Sequence, residues 1–367
     1  PPYYDDNFWK KYDLIHYHRA IGPDYEASKA LAKRLTKWGI PHVCDIDDYW
    51  LPTVDHPAHM MVRQQKMDEK IKENLKLAQY VTTTTKEFAK EISKLSTNIT
   101  IFPNAIDHKE KQYVPQPTES SKVRVGWLGG SSHIKDLEIL SGVFGRLNNE
   151  RAGKFQTILC GYDLRGSMTT FDQKTGKQSQ RPILPKESVW YKYERIMTDD
   201  YRIISDSSYI DELMSFKKKS ISGTQDSDYR RVWTKPITTY ASNYNNFDIS
   251  LAPLKEHIFN KVKSQLKVIE AGFHKKALIV QDFGPYTIDC VHALERGGTI
   301  NSKGNALMIP KTRNHKDWYK HIKRLIDNPS LVEDLGEKLH ETVYPRYALE
   351  TVTKTRAQWY KEIIKKA

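Results

Sequence analysis

Twice along this chain, short apolar runs alternate with amphipathic stretches, and that alternation restricts the fold more than any other feature. Tyr12–Tyr17 (YDLIHY), His42–Ile46 (HVCDI), Tyr80–Thr84 and Ile99–Phe102 have strand length and strand-like composition. Tyr25–Trp38, Met67–Ala78 and Lys86–Leu95 lie between them with helical spacing, Leu31 and Leu35 turned inward. Strands separated by helices predict a parallel sheet covered by helices on both faces. Lys109–Lys122 (KEKQYVPQPTESSK) holds two prolines and no apolar period, which predicts a linker.

The second alternation predicts strands at Val123–Leu128, Phe155–Cys160, Asp248–Leu254, Ala277–Gln281 and Ala306–Ile309. It predicts helices at Asp136–Leu147, Thr238–Tyr244 and Ile288–Arg296, then helices to the end. Residues 163–230 interrupt the pattern with Gly-, Gln- and Lys-rich stretches and a Tyr-rich patch at Trp190–Tyr193. They predict an insertion with mobile parts near Lys174–Gln180 and Lys217–Asp228. No repeat of solenoid period is present.

At 367 residues the chain exceeds what one core usually supports. The expected division is residues 1–108, a linker at 109–122, residues 123–350 and a terminal helix at 351–367. The start, Pro-Pro-Tyr, has neither Met nor an apolar leader, so a natural N-terminus is expected to precede it. The apolar runs are too short for a transmembrane helix. Cys44, Cys160 and Cys290 are odd in number and form no CxxC pair. That argues against a disulfide frame or zinc site and predicts a reducing cytoplasm. A net charge of +13 fits two readings, attraction to anionic lipid or nucleic acid and a Lys-rich solvated face.

The richest chemistry lies in Phe259–Gly272 (FNKVKSQLKVIEAG), which predicts a helix whose first turn carries Lys263 and Ser264. Val262, Leu266, Ile269 and Phe273 form its apolar stripe. Lys263, Lys267 and Glu270 share a second face, roughly 100° away. Two cations near a helix N-terminus suit a phosphate, because free N–H groups and the helix dipole add to their pull. A carboxylate two turns on can accept hydrogen bonds from a ribose. The pattern points to a nucleoside-diphosphate site, although a solvated helix face has the same residues.

Gly129-Gly130-Ser131-Ser132 follows a strand and can bring backbone N–H groups against a diphosphate; an ordinary strand-to-helix turn uses the same residues. His133 is either a phosphate donor or a surface histidine. Lys235 precedes Pro236, so extended backbone can aim its ammonium into a cleft. Gly284-Pro285-Tyr286 again follows a strand and can place amides near a phosphate or sugar. His18 and Arg19 end a strand, where Arg19 either pairs with Asp47 or Asp48 or meets a substrate. His56 and His59 read as an ordinary loop rather than metal ligands.

Together these segments resemble the family-4-like (group 1) retaining glycosyltransferases of the GT-B fold, two Rossmann-like domains facing across a cleft. The matching stretches are Trp127-Leu-Gly-Gly-Ser-Ser-His133 with Asp136-Leu137, Trp233-Thr-Lys-Pro236, Phe247–Leu254, Phe259–Glu270 and Gly284-Pro-Tyr286. Looser matches are Tyr17-His-Arg19, Asp45–Trp50 and Phe102-Pro-Asn-Ala-Ile-Asp107. The resemblance implies sugar transfer with retention from a nucleotide-diphosphate donor, UDP- or GDP-sugar foremost, to an acceptor hydroxyl in polysaccharide or glycoconjugate synthesis.

It assigns Lys263, Lys235, His18 and Arg19 to catalysis. Gly129, Gly130, Ser131, Ser132, His133, Ser264, Lys267, Glu270, Gly284, Pro285 and Tyr286 would hold the donor, Glu270 at the ribose. Asp45, Asp47, Asp48 and Asn104 would face the acceptor, whether saccharide, lipid-linked or nucleic acid. It implies that the last helix, Thr351–Ile364, crosses back to the first domain. No cofactor and no metal are expected. The carboxylates of Asp45-Ile-Asp47-Asp48 look like the metal-holding pattern of GT-A enzymes, but stand far from the phosphate segment.

One position departs from the pattern. Many members carry a glutamate eight residues before Glu270, where this chain has Val262. That leaves a non-catalytic nucleotide-sugar-binding protein as one rival, while the basic charge leaves a phage-type transferase acting on modified DNA bases as another. The expected setting is cytoplasmic, with peripheral contact to an anionic membrane face.

Overall fold

A computed structural model of the chain describes residues 4–116, 118–163, 167–171, 178–184, 187–199, 227–311 and 314–367. The first half forms a four-stranded parallel sheet of β1 (Ile15–His18), β2 (His42–Asp45), β3 (Tyr80–Thr83) and β4 (Ile99–Ile101), in sequential order. Tyr17, Cys44 and Val81 stand side by side in register, and with Ile71, Leu75, Phe88 and Ile92 they form one apolar layer. The helices Met67–Leu77 and Lys86–Ile92 supply those partners. Thr85 caps the second of these, its hydroxyl accepting from the Phe88 N–H at 3.2 Å.

The sheet's other face is covered by the chain's last helix, Leu349–Lys366. Trp359 packs edge-on against Tyr80 and Phe102, and Tyr360 against His16. Helices therefore cover both faces, but one layer comes from the far end of the sequence.

The second half is a six-stranded parallel sheet in the order β12-β11-β10-β5-β6-β9. Its strands are β5 (Val123–Leu128), β6 (Phe155–Tyr162), β9 (Tyr229–Trp233), β10 (Ile249–Ala252), β11 (Ala277–Gln281) and β12 (Leu307–Ile309). β7 (Ser167–Phe171) and β8 (Gln178–Pro182) pair as a separate antiparallel hairpin. The chain runs outward from β5 to β6 and β9, then restarts beside β5 at β10. That is the doubly wound order, and the reversal opens a crevice at the carboxyl ends of β5 and β10. Alternate residues serve opposite layers. Trp127, Leu159, Leu251 and Ile279 pack on one side with Phe144 and Trp318. Ile158, Cys160, Leu278 and Val280 pack on the other with Val268, Phe273 and Val343.

Several local expectations fail for identifiable reasons. The helix expected over Asp136–Leu147 breaks at Ser141–Gly142, because Gly142 takes a φ of +78° that ends one turn and starts Val143–Arg151. Ile288–Arg296 is not helical. Bridges His292–Ala306 and Leu294–Ile300 hold it extended, and Gly297 and Gly298, both at positive φ, make the turn. Thr238–Tyr244 becomes a 3-10 turn at Tyr240–Asn246. The span 163–230 is not wholly an insertion. Helix Val189–Thr198 places Trp190, Tyr193 and Met197 in the core, and β9 is the sheet's edge strand. Residues 172–177 and 200–226, where most of the predicted mobile parts fall, lie outside the described residues.

The chain passes between the sheets twice. Ile106 N–H donates to the Tyr347 carbonyl and the Leu349 N–H to the Ile106 carbonyl, each at 2.9 Å. The two crossings are thus bonded to each other. Within residues 109–122, Gln112 is buried and its carbonyl accepts from His274 Nε2 at 2.8 Å.

Candidate functional site

A cavity of about 460 Å³ opens at the crevice between β5 and β10. It brings together Asp48, Gly129, Gly130, His133, Lys235, Lys263, Ser264, Lys267, Glu270 and Tyr286 from the sequence prediction. Leu128, Gly161, Thr234, Ile237, Tyr240, Asn243, Leu254 and Leu266 complete the lining.

The Phe259–Gly272 segment differs from the expected continuous helix. Ile258–Lys261 is one short turn, and the helix proper is Leu266–Phe273. Val262, Lys263 and Ser264 fall in the connection between them, so Lys263 approaches the cavity from a turn instead of sharing a helical face with Lys267 and Glu270. The reason is Val262. It is 1 % exposed and packs in the first domain's apolar layer with Trp50 and Phe88, not on the helix stripe. Its carbonyl accepts from the Thr85 hydroxyl at 3.2 Å, and Asn104 Nδ2 donates to Ser264 Oγ at 2.9 Å. The two domains thus grip the same short loop.

Lys263 Nζ lies 4.8 Å from the centre of the Phe259 ring. Burial pulls its pKa down, and Asp136 and Asp48 pull it back up. Lys267 donates to the Leu128 carbonyl and lies 5.4 Å over Trp127; burial lowers it to about 8. Lys235 donates to Ser242 Oγ at 2.8 Å, and burial lowers its pKa also. Three ammonium groups with depressed pKa values around one cavity gain most when an anion arrives, because the anion restores what burial removed.

Glu270 lies one turn beyond Lys267 on the same helix. It is buried, accepts from the Tyr240 hydroxyl and accepts from the Tyr244 hydroxyl at 3.1 Å. Burial raises its pKa, while Tyr240, Lys267 and Tyr244 act the other way. His133 is fixed by Asp136, with Nδ1 at 2.8 Å from the carboxylate. Asp136 Oδ1 also accepts from the Lys255 N–H at 2.8 Å and from Asn260 Nδ2 at 2.9 Å. An ionised carboxylate only accepts, so Nδ1 carries the hydrogen. Burial holds the ring neutral, with its pKa near 4. The free Nε2 is then an acceptor suited to a hydroxyl.

Gly129 and Gly130 follow β5 as a bare turn, where the neighbouring Gly161 is required. Gly161 has φ +97°, and a Cβ there would lie 2.3 Å from the Gly129 carbonyl oxygen. Ser131 and Ser132 are exposed and off the lining. Gly284 (φ +58°) and Pro285 are off the lining, a Cβ on Gly284 meeting the Lys261 backbone, while the buried Tyr286 reaches it.

The residues expected to face an acceptor divide. His18 Nε2 is 3.2 Å from Asp47, and Arg19, at φ +63°, is 3.6 Å from Asp47 and 3.7 Å from Asp48. Burial, then Asp47, raises the Asp48 pKa, which Lys263 opposes. Asp45 turns elsewhere, accepting from the Thr82 hydroxyl beside His16 at 3.9 Å. Among the described residues no three His, Cys, Asp or Glu side chains are grouped so as to hold a metal ion. No described helix is long and apolar enough to cross a membrane.

Sequence reasoning missed Tyr240, Tyr244 and Asn243, because the stretch was read as a generic helix. The signal was present: two tyrosines four apart ahead of a buried strand, with a buried carboxylate in need of donors.

No protein-family model matches the chain, and no curated protein matches it in sequence. Solved structures do. Sucrose-phosphate synthase from Thermosynechococcus elongatus is 14 % identical, covering 97 % of this chain and 75 % of that one at a TM-score of 0.59. Anabaena HepE in complex with UDP is 12 % identical over 97 % and 80 %, TM-score 0.59. A glycosyltransferase from Rickettsia africae ESF-5 is 13 % identical over 98 % and 80 %, TM-score 0.57. The likeness establishes the fold: two parallel-sheet α/β domains in the GT-B arrangement.

Proposed function

We propose that the chain is a retaining, metal-independent glycosyltransferase that moves a sugar from a nucleotide-diphosphate donor, a UDP-sugar foremost, to an acceptor hydroxyl. The observation that carries this reading is Lys235, Lys263, Lys267 and Glu270 lining one cavity at the sheet's reversal point. The fold's likeness to glycosyltransferases, one of them bound to UDP, supports it.

In this reading the three ammonium groups and the Gly129–Gly130 turn take the diphosphate, where negative charge grows most as the glycosidic bond breaks. Glu270, held by Tyr240 and Tyr244, accepts the ribose hydroxyls. Neutral His133 accepts from a sugar hydroxyl. The acceptor hydroxyl enters from the Arg19–Asp48 side and attacks the face the diphosphate leaves, its proton passing to a phosphate oxygen. The grip of both domains on the Val262–Ser264 loop would keep water out during transfer.

Thermal shift with UDP-, GDP-, ADP- and CMP-sugars tests the reading. A donor at 100 times its Kd stabilises by about 2.7 kcal/mol. If no nucleotide sugar raises the melting point, the proposal fails.

A further inference from the structure

We infer that Asn243 reads the nucleobase of the donor through its side-chain amide, an inference that rests on the nucleotide-sugar reading of the cavity. Asn243 is fully buried, at 0 % exposure, and lines the cavity. Both Nδ2 and Oδ1 are without a hydrogen-bond partner. A buried amide with neither donor nor acceptor satisfied is costly, and native interiors rarely leave one so.

Its surroundings explain the vacancy. The residue sits on the Tyr240–Asn246 turn, whose Tyr240 and Tyr244 hydroxyls are committed to Glu270. Asn243's backbone carbonyl accepts from Asn246 Nδ2 at 3.1 Å, whereas its side-chain amide has no partner. With Glu270 at the ribose, the lining formed by Gly161, Thr234, Ile237 and Asn243 remains for the base. Gly161 carries no side chain to block it. Ile237 is 78 % exposed at the edge, an apolar cover for one face of a planar ring. A carboxamide pairs with a base edge that sets one donor beside one acceptor. Uracil offers N3–H to Oδ1 and O4 to Nδ2. An acid in its place could only accept, and would repel O4.

The test compares wild type, Asn243→Leu and Asn243→Asp by calorimetric titration with UDP, and with UMP and ribose 5-phosphate as base-bearing and base-free probes. Removing both bonds should weaken UDP and UMP by about 10- to 100-fold and leave ribose 5-phosphate unchanged. Asn243→Asp should lose UDP at least as strongly. Without ligand, Asn243→Leu should melt no lower than wild type, since it deletes two unsatisfied polar atoms at similar volume. A residue needed only for packing would instead lower the melting point and weaken every ligand alike. Unchanged UDP affinity in both variants overturns the inference. If wild type binds no nucleoside diphosphate of any base, the nucleotide-sugar reading itself fails.

Discussion

Gln265 Nε2 donates to the Tyr347 hydroxyl at 2.8 Å, tying the loop that carries Lys263 and Ser264 to the second crossing between the domains. Gln265 follows Ser264 on the cavity lining, and Tyr347 precedes Ala348, where the chain leaves for its last helix. The Tyr347 hydroxyl donates onward to the buried Asp289 at 2.6 Å, and Arg346 holds the other carboxylate oxygen at 2.6 Å. The loop beside the cavity and the segment that crosses between the sheets are therefore one hydrogen-bonded unit.

Tyr347→Phe keeps the ring and removes the hydroxyl. Asp289 and Gln265 each lose a buried partner, so stability should fall by about 1–3 kcal/mol in urea titration. If the network also sets the loop, the donor KM should rise more than kcat falls. A stability loss with unchanged KM would confine Tyr347 to folding.

Lys263→Ala should reduce kcat by about 10²–10³-fold, the loss expected when one positioned charge is removed from a leaving diphosphate. Fold integrity is checked by the melting point without ligand, which should hold or rise because a buried cation is removed. Lys263→Arg should recover only part of the rate, since a planar fork does not occupy the position of a compact ammonium.

Lys267 supplies a pH signature. Its pKa falls from 10.5 unfolded to about 8 folded, through burial. Below about 8 both states carry the proton, and the penalty for burying the charge is fully present. Between about 8 and 10.5 the unfolded chain binds a proton that the folded chain has released, so stability rises with pH. Lys267→Met should remove that rise, read as the difference between wild-type and variant urea midpoints across this range. Diphosphate binding above pH 8 should also take up a proton, measurable as a dependence of binding heat on the buffer's ionisation enthalpy. Equal slopes for wild type and variant would contradict the assignment.

The sheets were readable in the sequence because buried parallel strands leave continuous apolar runs, as in Ala277–Gln281 and Val123–Leu128. That Lys263, Lys267 and Glu270 meet at one cavity was readable because they fall close together in one polar stretch beside an apolar stripe. What escaped depends on partners distant in sequence. Nothing near Tyr240 announces that its hydroxyl meets a carboxylate thirty positions on. Apolar spacing alone does not say that Val262 leaves its helix stripe for the other domain's core. Gly142 broke one predicted helix and Gly297–Gly298 turned the extended segment found in place of another, through φ angles that apolar period does not encode.

Val262 decides how the departure from the glutamate pattern should be understood. Its side chain is 1 % exposed among Trp50, Phe88 and Ile92, so the position faces the first domain's core and not the cavity. Val262→Glu would bury a carboxylate there with no cation among those neighbours. The group would either stay protonated at a cost or push the domains apart at the Thr85 and Asn104 contacts. The expected result is a loss of about 3 kcal/mol or more in urea titration, together with weaker donor binding. If Val262→Glu instead kept its stability and raised kcat/KM, the loop would have to turn this side chain toward the donor during the reaction. The sugar of the proposed donor would then be held by position 262 rather than by His133.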